Sequence, residues 1–165
     1  MNQSSSFESE LAELLPRLRR FAHSLSRNPA DADDLTQATI ERALRSRDQW
    51  QQGTRLDSWA YRIMRNLWID TARSTSRRAG HEAPEEEGLT VGEDPRDAMD
   101  AAVDLKRIMA AMARLPDEQR EIVALILIEG FGYREVSEML DLPIGTVSSR
   151  LVRGRTALLV MVGEQ

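Results

Sequence analysis

The 165-residue chain is 41% hydrophobic and 30% charged, carries a net charge of −5 and has no cysteine. This composition suits a water-soluble globular protein with room for one or two small domains, and the missing thiols exclude a disulfide framework, a zinc knuckle and cysteine chemistry. No apolar run approaches the ~18 residues that a membrane span needs. The opening stretch MNQSSSFESELAELL lacks the basic run of a secretory signal, so the cytoplasm is the expected location.

The first element is helical. Phe7, Leu11, Leu14, Leu15, Leu18, Phe21, Ala22 and Leu25 recur at helical spacing, interrupted only by Pro16. Asn28-Pro29 marks a boundary. A second helix over residues 31–46 opens with Asp31, Asp33 and Asp34, acids that favour the positive end of the helix dipole. Its expected inner side is Leu35, Ala38, Thr39, Ala43 and Leu44. A polar loop, Trp50-Gln51-Gln52-Gly53, leads to Thr54-x-x-Asp57, which resembles a capping box with Asp in place of Glu. The third helix buries a stripe of Leu56, Trp59, Ala60, Ile63, Met64, Leu67 and Trp68. It leaves Arg62, Arg65, Asn66 and Asp70 on its other face and runs into Arg73, Arg77 and Arg78.

Residues 80–97 contain Gly80, Pro84, Gly88, Gly92 and Pro95 amid acid, with no period, and read as a linker. Residues 81–104 hold nine acidic residues against Arg96 alone, a net of −8, so the rest of the chain carries +3. Local clusters set the field that a nucleic acid feels. Helices resume with Leu105, Ile108, Met109, Met112 and Leu115, and break at Leu115-Pro116-Asp117. The apolar run from Gln119 to Ile128 is expected to be buried and to end at Glu129-Gly130, with glycine in the left-handed cap. The expected fold is all-α: two small helical domains, 5–79 and 101–163, joined by a flexible acidic linker at 80–100.

The segment FGYREVSEMLDLPIGTVSSRLVRGR, residues 131–155, reads as two short helices around a tight turn. Val136 and Leu140 face inward at i, i+4, with small Ser137 at the crossing. Pro143 suits a helix start, and Val147 and Leu151 again face inward. Gly145 and Thr146 allow close approach of a phosphate, and Ser148, Ser149, Arg150, Arg153 and Arg155 remain on or near the open face. This is a helix-turn-helix, whose second helix lies in the DNA major groove; an ordinary helical hairpin with solvated arginines has the same pattern.

Other features have plain readings beside sharper ones. Trp59 and Trp68 lie on the apolar stripe as core residues, whereas Trp50 lies off it and is the better candidate for stacking on an unpaired base. Asn66 either bonds a base edge or faces water. Asp31, Asp33 and Asp34 lack the glycine and bidentate glutamate of a calcium loop, which leaves helix capping as the simpler role. His23 and His81 are isolated, and neither a GxSxG nor a glycine-rich phosphate loop occurs. No catalytic constellation, metal site or cofactor is expected.

Three ordered stretches resemble the bacterial extracytoplasmic-function sigma factors of the two-domain kind: DADDLTQATIERAL, LDSWAYRIMRNLWIDTARS and LPDEQREIVALILIEGFGYREVSEMLDLPIGTVSSRLVRGRTAL. The stretch Trp-Gln-Gln-Gly-Thr-Arg-Leu is also similar to the general-stress-response branch. The resemblance implies a first domain that docks on the clamp helices of the RNA polymerase β′ subunit through Asp33, Asp34, Leu35, Gln37 and Glu41. It implies that Trp50, Thr54, Arg62, Arg65, Asn66, Asp70 and Arg73 read and melt the −10 element. A second domain would read the −35 element through Gly145, Thr146, Ser148, Ser149, Arg150, Arg153 and Arg155 and pack on the β flap. An anti-sigma factor is the implied inhibitor. Ala38 stands where an acid is usual, Asp141 where glycine is, Ser148 where lysine is frequent and Gly154 where alanine is. Asp141 then needs a left-handed backbone at about 1 kcal/mol, and Gly154 loosens its helix by about 1 kcal/mol. The competing reading is a conventional helix-turn-helix regulator that acts as a dimer on palindromic DNA without polymerase.

Overall fold

A computed structural model of the chain describes residues 3–78 and 97–163, and those residues are almost wholly helical. Helix α1 (Gln3–Leu25) runs through Pro16 without ending. Pro16 and Ala12 both lie on the exposed face, so the carbonyl that the proline leaves unbonded can be served by water, while Leu11, Leu18 and Phe21 hold the buried face on either side.

Helix α2 (Pro29–Arg45) starts as its sequence dictates. Pro29 occupies the first turn, where its missing N–H costs nothing, and the Asn28 side chain accepts from the Asp31 N–H at 2.8 Å. Ala32, Leu35, Thr36, Thr39 and Ala43 are buried, and the two threonine hydroxyls donate back to carbonyls one turn earlier. Leu44, expected inside, is exposed. A short 3-10 turn (Arg47–Gln49) leads to α3 (Leu56–Arg78). The expected capping box does not form: the Thr54 hydroxyl donates to the Gln51 carbonyl at 2.6 Å, and Asp57 accepts from the Ser58 N–H and from Arg55.

Helix α4 (Asp97–Arg114) begins inside the stretch expected as linker; residues 79–96 lie outside the described residues. After Pro116 come α5 (Asp117–Val123) and a wide π-helical turn (Ala124–Ile128). Gly130 then takes φ +79°, the left-handed cap expected of it. The π turn spreads the apolar run around the axis, so Leu125 is buried while Leu127 is half exposed. Helices α6 (Tyr133–Leu140) and α7 (Ile144–Gly163) complete the chain. Asp141 joins them at φ 53°, ψ 51°, the expected left-handed conformation, and the Ser137 hydroxyl donates to the Leu142 carbonyl at 2.6 Å across the turn.

Gly154 corrects the sequence-based reading. It is buried where α7 crosses α5, and a Cβ there would lie 2.8 Å from Val123 Cγ2 and 3.2 Å from Gln119 Cβ. Its lack of a side chain is what allows the close crossing, so its effect is not only to loosen a helix.

The two helical groups, α1–α3 and α4–α7, lie against each other. Helix α1 packs on α4, α5 and the π turn, and α3 packs on α6. Arg120 is buried at this junction. It donates to the Met112, Ala113 and Leu115 carbonyls at the end of α4 and to the Leu25 carbonyl at the end of α1. Asp117 accepts from it at 3.0 Å, and the guanidinium carbon lies 6.0 Å from the centre of the Trp68 ring. Burial lowers the Arg120 pKa, with the Asp117 charge opposing; its donors are nonetheless fully used, as a buried cation requires.

Candidate nucleic-acid interface

The second helix of the helix-turn-helix, α7, divides as its period demands. Val147 and Leu151 are buried against α5 and α6. Gly145, Ser148, Ser149, Arg153 and Arg155 are exposed, Thr146 half so. Arg153 lies over its own helix, its guanidinium 3.4 Å from the Ser149 carbonyl and 3.5 Å from the Ser149 hydroxyl. Arg150 stands differently. It is half-buried and sits 3.7 Å from Glu118 of α5, so in this arrangement it braces the helix pair. Val152, overlooked in the sequence, is exposed between Ser148 and Arg155 on the same face, where its methyls suit contact with a thymine methyl.

On α2, the acidic face is open. Asp33, Asp34, Gln37 and Glu41 are exposed, with Gln37 bonded to Glu41, while Leu35 is buried beneath them. Asp34, Leu35 and Ala38 also line a groove of about 720 Å³ that reaches Trp68 on α3 and Asp117 on α5.

Two arginines of the α3 face expected to meet DNA are engaged. Arg62 donates to the Met139 carbonyl at 3.0 Å and the Glu138 carbonyl at 3.2 Å, where a cation complements the negative end of α6. Arg65 donates to both oxygens of Glu121, at 2.9 and 3.4 Å, and that carboxylate is only 2% exposed. Arg55 donates to Glu135 at 2.7 Å and also to Asp57. Burial pushes Asp57 up, but hydrogen bonds from Arg55 and Ser58 and the charges of Arg55 and Arg17 outweigh it and hold the carboxyl below its ordinary value. Asn66 and Asp70 remain exposed, and Arg73 lies on α3 with its side chain outside the described residues. Thr54 is exposed with its hydroxyl turned back to Gln51. Trp50 is not free to stack on a base: its ring packs 5.6 Å from Phe7 of α1.

The junction's centre escaped the sequence reading. The Glu129 carboxylate is 0% exposed. It accepts two bonds from Arg20, at 2.9 and 2.8 Å, and one from the Tyr61 hydroxyl at 2.6 Å. The Tyr61 ring lies 4.9 Å from Phe21 and 5.1 Å from Phe131, and Arg55 sits 5.4 Å from the Phe131 ring. Burial, then the bond to Glu129 and its negative charge, raise the Tyr61 pKa strongly. The same bond raises Arg20. The signal available in the sequence was Glu129 itself. A carboxylate closing an apolar run sits at the negative end of a helix, an unfavourable place unless cations meet it.

Among the described residues there is no group of acids and histidines able to hold a metal, and no helix is long and apolar enough to cross a membrane.

Two family descriptions match the chain: Sigma-70 region 2 over residues 11–78 and Sigma-70 region 4 over residues 105–158. The chain is 34% identical to the ECF RNA polymerase sigma factor EcfG of Rhodopseudomonas palustris, over 96% of this chain and 86% of that one. It is 39% identical to the ECF RNA polymerase sigma factor SigE of Mycolicibacterium smegmatis, over 86% of this chain and 56% of the longer relative. Among solved structures it is similar to the sigma factor RpoE of Bartonella quintana, crystallised in complex with the anti-sigma factor NepR. That match has a TM-score of 0.83 and 29% identity, and covers 97% of this chain and 98% of the other.

Proposed function

Since the chain belongs to the extracytoplasmic-function family of RNA polymerase sigma factors, we propose that it binds core RNA polymerase and directs initiation at promoters by reading −10 and −35 elements. The observation that carries this reading is the pairing, in order, of region 2 and region 4 matches with an open recognition face on α7. Asp33, Asp34, Gln37 and Glu41 offer the β′ clamp an acidic face, with Leu35 supporting it from below. Arg62, Arg65, Asn66, Asp70 and Arg73, with Thr54 at the head of the helix, serve the −10 element. Trp50 joins them only after leaving Phe7. Gly145, Thr146, Ser148, Ser149, Arg153 and Arg155 serve the −35 element, and Arg150 holds their helix in place.

Each half neutralises few phosphates, so each binds DNA weakly alone. Polymerase fixes both at a set spacing, which makes the second contact intramolecular and raises its effective concentration. The chain itself makes and breaks no bond; the chemistry is the polymerase's, in the cytoplasm. An anti-sigma factor restrains it, as the likeness to RpoE held by NepR suggests.

Run-off transcription tests this. Core polymerase with the purified chain should start RNA at specific sites in a promoter library, and Arg153→Ala should weaken promoters that depend on the upstream element. Core enzyme that initiates identically with and without the chain refutes the reading.

A further inference from the structure

We infer that Arg20, Arg55, Arg62 and Arg65 form one strip for the phosphate backbone of single-stranded nucleic acid. In the closed chain, Glu129, Glu135, Glu121 and the terminal carbonyls of α6 occupy that strip as built-in substitutes for phosphate. This rests on the family reading, but it concerns the free chain and adds Arg20 and Arg55 to the binding surface.

The ion pairs across the junction have a direction, although Arg120 donates the other way to the Leu25 carbonyl. All four guanidiniums come from α1, α3 and the loop before α3, and all their acceptors across the junction come from the C-terminal half. Arg20 grips Glu129 with two parallel bonds, the geometry by which arginine also grips phosphate. Glu121 and Glu129 are buried, so their oxygens face those arginines and Tyr61 rather than water. The carboxylates stand where a strand's phosphates would: Glu121 takes both donors of the half-buried Arg65, and Arg62, though exposed, spends its donors on the α6 carbonyls. Arg20, Arg55 and Glu135 remain partly exposed, so the closure weakens as salt rises.

The same contacts leave the helix-turn-helix open while Arg62 and Arg65 of the α3 face are paired within the chain. Helix α6 turns its C-terminus toward Arg62, whereas the exposed face of α7 bears Ser148, Ser149 and Arg153.

The experiment uses the full chain without polymerase. With no native cysteine, exposed Arg42→Cys on α2 and Thr156→Cys on α7 accept a fluorescent pair that reports closure. A labelled single-stranded DNA oligonucleotide reports binding. The Glu129→Gln, Glu135→Gln pair removes two charges while keeping shape, and the exposed Glu135→Gln alone serves if the pair fails to fold. The closed wild type should bind the oligonucleotide weakly. The variant should lose energy transfer and gain affinity by about tenfold, the gain when a minor competent state becomes dominant. Adding Arg62→Ala should abolish the gain. A wild type that is already open, a variant that stays closed, or a variant that opens without gaining affinity each overturns the inference. All three leave transcription with core polymerase as a separate test of the family role.

Discussion

Replacing Tyr61 with phenylalanine deletes one oxygen and keeps the ring between Phe21 and Phe131. The lost bond is the 2.6 Å donation to Glu129 Oε2, and a hydrogen bond to a charged group contributes about 1.5–3 kcal/mol. Two effects reduce the loss. The phenylalanine has no hydroxyl to desolvate, and Glu129 keeps both Arg20 donors, so the buried carboxylate is not orphaned. The net destabilisation is therefore about 1–2 kcal/mol, or a fall of roughly 2–8 °C in Tm for a chain of this size. Thermal melts followed by far-ultraviolet circular dichroism at neutral pH measure it. A double-mutant cycle with Glu129→Gln should show at least about 0.5 kcal/mol of coupling. An unchanged or raised Tm, or costs that simply add, would refute the argument that this phenol holds the two halves together.

Alkali should act through the same group. The folded phenol titrates above its unfolded value, so its contribution is complete below the unfolded pKa of about 10 and is lost as pH rises through that value toward the folded one. The wild type should lose Tm faster than Tyr61→Phe above about pH 10; parallel losses count against this. Asp141→Gly relieves the left-handed backbone at an exposed residue and should stabilise by about 0.5–1 kcal/mol in urea unfolding, with a lower midpoint as the contrary result. Gly154→Ala gains about 1 kcal/mol of helix propensity but forces a methyl to 2.8 Å from Val123, and overpacking costs about 1–3 kcal/mol. The urea midpoint should fall, and a rise would show that the α5–α7 crossing relaxes freely.

Much of the molecule follows from its sequence by local rules. Asn28-Pro29 starts α2, Asp141 adopts the left-handed turn, Gly130 caps the apolar run, and Val136, Val147 and Leu151 are buried. What failed was non-local. Arg62 and Arg65 form a polar face by period, and no period tells whether such a face meets water, DNA or another part of the same chain. Leu127 was expected inside because an unbroken apolar run says nothing about a π turn. Thr54 and Asp57 have the spacing of a capping box, but Asp57 is claimed by Arg55 and Arg17. Tyr61 and Glu129 are 68 positions apart, and only the folded chain brings the phenol to the carboxylate.

Arg120 sets how cleanly such a chain can come apart. Of its carbonyl partners, Met112, Ala113 and Leu115 belong to its own half, as does Asp117; Leu25 alone belongs to the other. Parting the halves therefore surrenders one of this cation's hydrogen bonds and its contact with the Trp68 ring, and the remaining bonds travel with it. The C-terminal bundle leaves with this internal brace intact, so the charges that separation strands are those of Glu129 and Glu121, not that of Arg120.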